Sequence, residues 1–314
     1  MRRAAGALAP AALLAAAVLA WPGCAAAQSA EELAAACAAD GGDTPWCVSG
    51  AAGARELAAD LALLARPGPE IPGQASTLGR RLGGAPRVAP WIDFGLARAE
   101  VPDLAAGAGA WRGATVPLIH GGVGLGVFEG LSPLPTVGGM LSLDVVAQAG
   151  FLFFSDGDGF EGRVDGLSVG ARIGLLRESF TLPGVTLSVS RRFYGRLAYG
   201  DAADPARVRV DAGVTSLRAT VGKDLFAFGI LAGVGWDDLG GDVELDVDGA
   251  SVAGELDASR RLYFVGVSRQ LGVLSWMVFE LGWAEGFDAV RSGGAIAPGT
   301  GTRWFGSAAL LFRL

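Results

Sequence analysis

The chain has 314 residues, 51% of them hydrophobic, with 50 glycines, a single histidine and a formal net charge of −7. A mean hydropathy of +0.41 is too high for a disordered chain and high for a water-soluble one. The acidic balance makes nucleic acid a poor partner.

Residues 1–27 read as a signal peptide. Arg2 and Arg3 precede an apolar run from Ala4 to Ala20, and Ala25, Ala26 and Ala27 form a small-residue cleavage site before Gln28. Cleavage there removes two arginines and no acid, which takes the net charge from −7 to −9. Cys24 allows a lipoprotein reading, although Trp21-Pro22-Gly23 is a poor context for lipidation. Beyond this segment no run of about 20 uncharged apolar residues remains. An exported chain of this hydropathy can still cross a bilayer by closing strands into a barrel, which pairs every backbone group.

Residues 28–86 read as helical. Ser29 and Glu32 form a capping-box pattern, and Gly41-Gly42 ends the first helix. A second helix is predicted near 51–65, with Leu57, Leu61 and Leu64 on one stripe. Cys37 and Cys47 lie between the two, and in an oxidising compartment neighbouring thiols pair. A metal site there lacks a histidine or further cysteines. The expectation is a disulfide-clamped helical periplasmic segment, followed by a linker rich in Pro, Gly and Arg from Arg66 to Pro90.

From about residue 88 the apolar period is two. Strands are predicted near 88–101, 114–128, 138–154, 164–178, 185–199, 206–223, 225–239, 258–271, 273–286 and 301–314. The fold class that follows for 87–314 is all-β: a transmembrane antiparallel up-and-down β-barrel of about ten strands, with 8–12 allowed. From 138 onward tight links at 223–224 and 270–272 alternate with longer polar ones at 155–163, 200–207, 237–259 and 287–300, as periplasmic turns alternate with outer loops, whereas the Ala/Gly-rich link at 102–113 and the link at 129–137, long for a periplasmic turn, fit this pattern less well. Gly272 suits the left-handed position of a three-residue hairpin. In 206–223 the apolar residues change parity near Thr215, which predicts a bulge. In this orientation Phe151, Phe153, Phe193, Trp236, Tyr263, Trp283 and Trp304 fall at one height on the lipid-facing rows, as an aromatic girdle does. The competing reading is a set of unrelated core aromatics in a soluble sheet.

The last stretch, WFGSAALLFRL from Trp304 to Leu314, has an apolar row at Trp304, Ala308, Leu310, Phe312 and Leu314. It is similar to the C-terminal strand of the outer-membrane β-barrels of Gram-negative bacteria, and residues 88–314 resemble that class as a whole. Its chains usually end on an aromatic residue, whereas Phe312 here is two residues short of the end. The resemblance implies outer-membrane lipid as the surroundings and the barrel-assembly machinery as a partner, recognising the C-terminal strand. An even strand number puts both termini on the periplasmic side.

The face opposite the lipid rows carries Asp144, Gln148, Ser168, Arg172, Ser188, Arg192, Ser216, Arg218, Glu280, Arg303 and Ser307, with many glycines between. Both signs of charge are present, so Asp144, Arg172, Arg192, Arg218, Glu280 and Arg303 are expected to form a paired network in a lumen largely filled by side chains. No nucleophile elbow, phosphate loop or metal-ligand cluster appears, and no cofactor is implied. GVGLG at 122–126 lacks the third glycine of a nucleotide loop and sits in a strand pattern. SDGDGFEG at 155–162 has acids spaced like a calcium loop without the full run of ligands. His120 is the one candidate catalytic residue, as the base of a rim hydrolase, against an ordinary hydrogen-bonded histidine. Asp237, Asp238, Asp242, Glu244, Asp246 and Asp248 are candidate ligands for divalent cations, in a loop whose alternation suits a β-hairpin above the membrane; plain solubility is the competing reading. The functional expectation is an outer-membrane barrel of structural or interaction type that passes small solutes at most. The alternatives are a transporter or channel with the N-terminal segment as plug, and the His120 hydrolase.

Overall fold

In a computed structural model the described residues are 28–63, 68–70, 87–103, 106–131, 140–154, 159–160, 163–180, 182–201, 203–226 and 228–313. The predicted signal peptide at 1–27, most of the predicted linker and most of the calcium-like stretch at 155–162 lie outside them.

Two helices, α1 (Ala30–Ala39) and α2 (Thr44–Leu63), precede thirteen strands. These are β1 (Val88–Pro102), β2 (Trp111–Phe128), β3 (Ser142–Phe153), β4 (Arg163–Leu176), β5 (Gly184–Tyr194), β6 (Leu197–Tyr199), β7 (Ala206–Asp224), β8 (Gly229–Val247), β9 (Ala250–Gln270), β10 (Ser275–Ala284), β11 (Val290–Ser292), β12 (Ala295–Ala297) and β13 (Arg303–Phe312). Ten of them close a barrel. Successive strands pair antiparallel, β5 passes to β7, β10 to β13, and β13 returns to β1 from Trp91↔Leu311 to Ala97↔Phe305. The chain is therefore all-β around a short helical segment, with the strand number expected from its periodicity.

One end is closed by short turns at 225–228 and 271–274; the other carries long connections and the β8–β9 hairpin, continuous from Val247↔Ala250 down to Gly229↔Ser268. The hairpin turns on Asp248 and Gly249, both in the left-handed region (φ 48° and 91°), where Asp-Gly is the favoured pair. Two local expectations fail. The tight β7–β8 link sits at 225–228, not at 223–224, and Gly272 has no positive φ. The turn there holds four residues, so no left-handed position is needed.

The parity change near Thr215 is real but is no bulge. β7 pairs with β8 without a register shift, and every second side chain from Ala206 to Thr220 is buried. What changes is the medium on each side. Toward the short turns, Leu217 and Val221 face out while Ser216, Arg218 and Thr220 face in. Toward the hairpin end, Arg207, Arg209 and Asp211 face out while Val208, Val210 and Val214 are buried inside. β8 does the same: Ile230, Val234 and Trp236 face out below, and Leu239, Val243 and Leu245 face in above. β1 follows, with Ile92, Phe94 and Leu96 outside and Ala99 and Val101 inside. The barrel is apolar outside and polar inside for one part of its length, then polar outside and apolar inside for the rest. The change of sign lies at the level of Trp236, Trp283 and Trp304.

The helices explain the apolar interior. α2 lies inside the barrel, packed against β1, β7, β8 and β9, with every residue from Cys47 to Leu63 buried. A helix with so many Ala and Gly has no polar face to give to water. Its smallest positions meet the wall: a side chain at Gly50 would enter Leu245, and one at Gly53 would enter Pro102. α1 begins with the Ser29–Glu32 capping box, both bonds formed (3.2 and 2.8 Å). Cys37 and Cys47 are disulfide-bonded, with Gly42 against both sulfurs where a Cβ would collide. The segment lies within the barrel, as the plug alternative has it, and begins at the hairpin end, whereas entry from the short-turn end was expected. Gln28 bridges Leu256 at the hairpin end, whereas Phe312 pairs with Ser275 at the short-turn end. The ends of the described chain thus lie at opposite ends of the barrel, and sequence reading had placed both termini on one side. An even strand count fixes only the barrel's own two ends; the segment runs back through the lumen.

Candidate functional site

The largest group of buried polar side chains among the described residues lines the lumen, and it is built around α2. The last turn of any helix leaves carbonyls without intrahelical donors. Here the wall supplies them: Tyr194 Oη donates to the carbonyl of Leu61 (2.6 Å) and Arg260 to that of Ala59. A guanidinium at this end also complements the helix dipole. Residues 68–70 also lie in the lumen. Arg172 donates to the carbonyl of Pro69 (3.3 Å), while Glu70 accepts from Thr186 and Ser188 (3.2 Å each) and lies 3.8 Å from Arg172.

Around the helix a second group of charges sits above the tryptophan row. Arg303 reaches Glu56 (3.3 Å), Asp60 (3.7 Å) and Glu100 (2.8 Å). Glu56 accepts from Thr300 (2.8 Å), and Asp60 accepts the Glu100 amide (3.1 Å). Arg55 donates to the carbonyl of Asp288 and stacks on Phe287. Burial pushes the Glu56 carboxyl above its ordinary range, against the pull of Arg303 and Thr300. Asp60 is pushed up to about 8, first by burial and then by Glu56.

The residues singled out in the sequence fall as follows. Asp144, Arg172, Arg192, Arg218, Glu280 and Arg303 are all buried on the inner face. Arg218 pairs with Glu280 at 3.3 Å and lies over Phe264. Arg192 contacts His120 Nε2 (3.0 Å) and Tyr194 Oη (3.1 Å), and Asp93 faces His120 Nδ1 at 3.8 Å. His120 therefore sits 2% exposed beneath α2, not on a rim, with a guanidinium on Nε2. A general base needs that nitrogen directed at a proton it can remove. Of the acids, Asp237 turns inward, accepting from Ser216 (2.7 Å) beside Arg260. Glu244 and Asp246 face out and are bridged by Arg209 (3.1 and 2.9 Å). Asp238 and Asp242 are on the outer face and Asp248 is in the turn. Alternation along a strand thus splits the set between two faces, and no group of metal-ligand type occurs among the described residues.

Phe151, Phe153, Phe193, Trp236 and Trp304 are exposed on the outer face, while Tyr263, Trp283 and Trp304 occupy paired positions on three neighbouring strands, with ring centroids 5.9 and 5.6 Å apart. Four of the inner glycines have a shared reason. Trp91 leans over Gly122, His120 over Gly150, Phe264 over Gly233 and Phe305 over Gly282, each pair directly opposite across two strands. A ring laid across a glycine fills the lumen without crowding the ladder. Sequence reasoning missed Glu56, Asp60, Glu70, Asp93, Tyr194 and Arg260. Charges inside an Ala-rich helix, at Arg55, Glu56 and Asp60, were the available signal, since such a helix buries them only if the wall answers.

A closed antiparallel barrel with an apolar outer belt, an aromatic row at one border of it and a polar lumen defines a transmembrane β-barrel of the outer-membrane type. No family model matches the chain, and no curated protein matches it. Solved structures similar to it include the translocator domain of the autotransporter NalP from Neisseria meningitidis, with 12% identity and a TM-score of 0.45 over 74% of this chain and 89% of that one. The outer membrane protease OmpT from Escherichia coli gives 9% and 0.39 over 73% and 97%. An outer membrane channel from Pseudomonas putida F1 gives 10% and 0.38 over 77% and 98%. All are outer-membrane barrels, and their roles differ.

Proposed function

We propose that this chain is an outer-membrane barrel sealed by its own N-terminal segment, acting at the surface as a structural or interaction protein. The observation that supports this is α2, buried on all sides inside the barrel wall. In the sequence reading the wall's own side chains block the lumen; with α2 and residues 68–70 in place, the segment shares that role. The short-turn end is taken as periplasmic, as short turns are in this class, which sets β13 where assembly machinery would meet it and the β8–β9 hairpin outside the cell. Hydrolysis at His120 would need a substrate to pass α2, which counts against that reading.

A second reading, a channel or transporter with residues 28–70 as plug, has one observation in its favour. The segment is tied to the wall by side chains and by the single backbone bridge at Gln28, with no strand ladder among the described residues. Conductance in a planar bilayer separates the two. The sealed barrel gives no stable porin-size steps, with or without moderate voltage. Steady steps from the intact protein would refute it. Steps that appear and close reversibly in the intact protein would favour the plug.

A further inference from the structure

The short-turn end carries side chains unlike those of a water-facing loop. Phe226 is 100% exposed, Phe180 is 90% and Val273 is 86%. Leu182, Leu225 and Leu274 beside them are exposed as well. They occupy the turns β4–β5, β7–β8 and β9–β10. Phe226 holds φ at 63°, a conformation costly for a bulky residue and easily granted to glycine.

The polar groups of the same turns are directed at each other. Lys223, the only lysine of the chain, donates to the carbonyls of Ser179 (2.5 Å), Phe180 (3.1 Å) and Leu182 (3.4 Å), and lies 3.0 Å from Glu178. Glu178 in turn accepts the Asp224 amide (3.1 Å). Gln270 donates to the carbonyls of Gly272 (2.9 Å) and Val273 (3.4 Å). The amides of Ser179, Leu225 and Leu271 are taken by carbonyls within their own turns (3.0, 2.9 and 3.0 Å). A turn in water also closes its own amide bonds, but a lysine there keeps its ammonium in solvent. Here the ammonium too is satisfied internally while the apolar tips point away, which is the pattern demanded where water is scarce.

Length points the same way. From Trp283 to Ser275 the strand advances eight residues, and from Trp236 to Gly229 seven. At about 3.3 Å per residue and a tilt of about 40°, that is about 18–20 Å along the barrel axis, and the turns beyond complete the height of about 25 Å of the apolar band in this class. Measured down from the tryptophan row, the band ends at the turn tips, not above them.

We propose that the tips of these three turns are seated in the phospholipid leaflet at the short-turn end, and that Phe180, Phe226 and Val273 form its lower anchor in place of an aromatic row on the strands. The inference rests on the reading of the outer face as lipid-facing, and its occupant is phospholipid, argued from the continuity of the tips with the lipid belt at Val221, Ile230 and Phe279.

The test is a fluorescent thiol label placed singly at Phe226→Cys, Val273→Cys, Phe279→Cys or Ala253→Cys in the full chain carrying Cys24→Ser; Cys37 and Cys47 are bonded to each other. The protein is folded into phosphatidylcholine–phosphatidylglycerol vesicles prepared with iodide on both sides. Labels at 226 and 273 should be quenched by phosphatidylcholine bearing a nitroxide at acyl carbon 5. Their iodide quenching constants should lie about fivefold or more below that at 253, on the hairpin near the opposite end. Iodide access at 226 and 273 equal to that at 253, with 279 shielded, would overturn the inference and leave the membrane reading standing. Access at 279 as well would overturn both. Shielding in native envelopes but not in these vesicles would assign the tips to a protein and also overturn it. If one label prevents folding, the other decides.

Discussion

Replacing Arg303 by Met tests whether the lumen charges hold the helix. Arg303 and Glu56 are 3.3 Å apart with side chains 2% exposed each, so the pair belongs to the buried class. Removing one member of such a pair costs about 3–5 kcal/mol when the other is left buried without a partner; Glu56 keeps Arg55 at 3.6 Å and Thr300, which places the expected cost at the lower end, about 3 kcal/mol. Burial pushes both Glu56 and Asp60 above the ordinary carboxylate range, and Glu56 is the nearer of the two to Arg303, at 3.3 against 3.7 Å. Glu100 is 31% exposed, and its share falls to about 0.2–1 kcal/mol. A typical domain has about 5–15 kcal/mol in all, so Arg303→Met should be visible as a lower urea midpoint for protein folded in vesicles, read by heat-modifiable gel mobility. Glu100→Gln should barely move it. The triple change Arg303→Met, Glu56→Gln, Asp60→Asn should recover part of the loss, because the two carboxylates facing Arg303 go with it, while Arg55 loses Glu56 at 3.6 Å. A midpoint for Arg303→Met within about 1 kcal/mol of the original, or a triple variant worse than the single, would refute the network as the anchor of α2.

Other expectations follow from the same layout. Phe279→Arg puts a cation on a half-exposed outer position within the apolar belt and costs about 2–4 kcal/mol; the folded gel band should be lost, whereas Glu280→Gln should assemble but unfold at lower urea because Arg218 loses its carboxylate. The folded pKa of Asp60 lies above its unfolded value, so the folded state binds the extra proton and stability should fall as pH rises from about 4 through 8, by at most about 1.4 kcal/mol per unit; Asp60→Asn should flatten that slope in urea titrations at successive pH values. Replacing Cys37 and Cys47 by Ser opens a short loop, worth about 3 kcal/mol on chain entropy, and should expose α1 to protease while the barrel keeps its mobility on gels. Protease added to intact cells should cut the β8–β9 hairpin and spare 225–228; the reverse pattern would invert the barrel in the membrane.

The barrel was legible because its signal repeats. Lipid and lumen impose the same alternation on ten strands, and tight turns recur between them. The interior was less legible, because alternation says which side chains share a face and not what lies beyond it. Thr215 marks the point where that matters: Val208, Val210 and Val214 looked out of phase until α2 supplied an apolar surface inside. The placement of α2 was hidden for a related reason. Its Ala and Gly residues read as a modest amphipathic helix, and only a wall contributing Arg260, Arg303 and Tyr194 from 130 or more residues away makes Arg55, Glu56 and Asp60 tolerable there. His120 was correctly placed on the inner face, but depth along the axis is not written in parity, and depth is what removes it from a rim.

The path of the N-terminal segment has a consequence for how the molecule can be put together. It starts beside Leu256, passes Leu61 and Glu70 along the axis, and precedes Val88 at the far end. The wall around it is completed only where β13, the last strand made, joins β1, the first. A stapled pair of helices is hard to draw afterwards through a lumen that Trp91, Arg192 and Phe305 narrow from the wall, so the order consistent with this packing has it in position when the final seam zips. The segment is thus a former on which the sheet is rolled, and the finished tube retains it as a knot retains a thread. Extracting it means either melting α1 and α2 or parting the seam from Trp91↔Leu311 to Ala97↔Phe305.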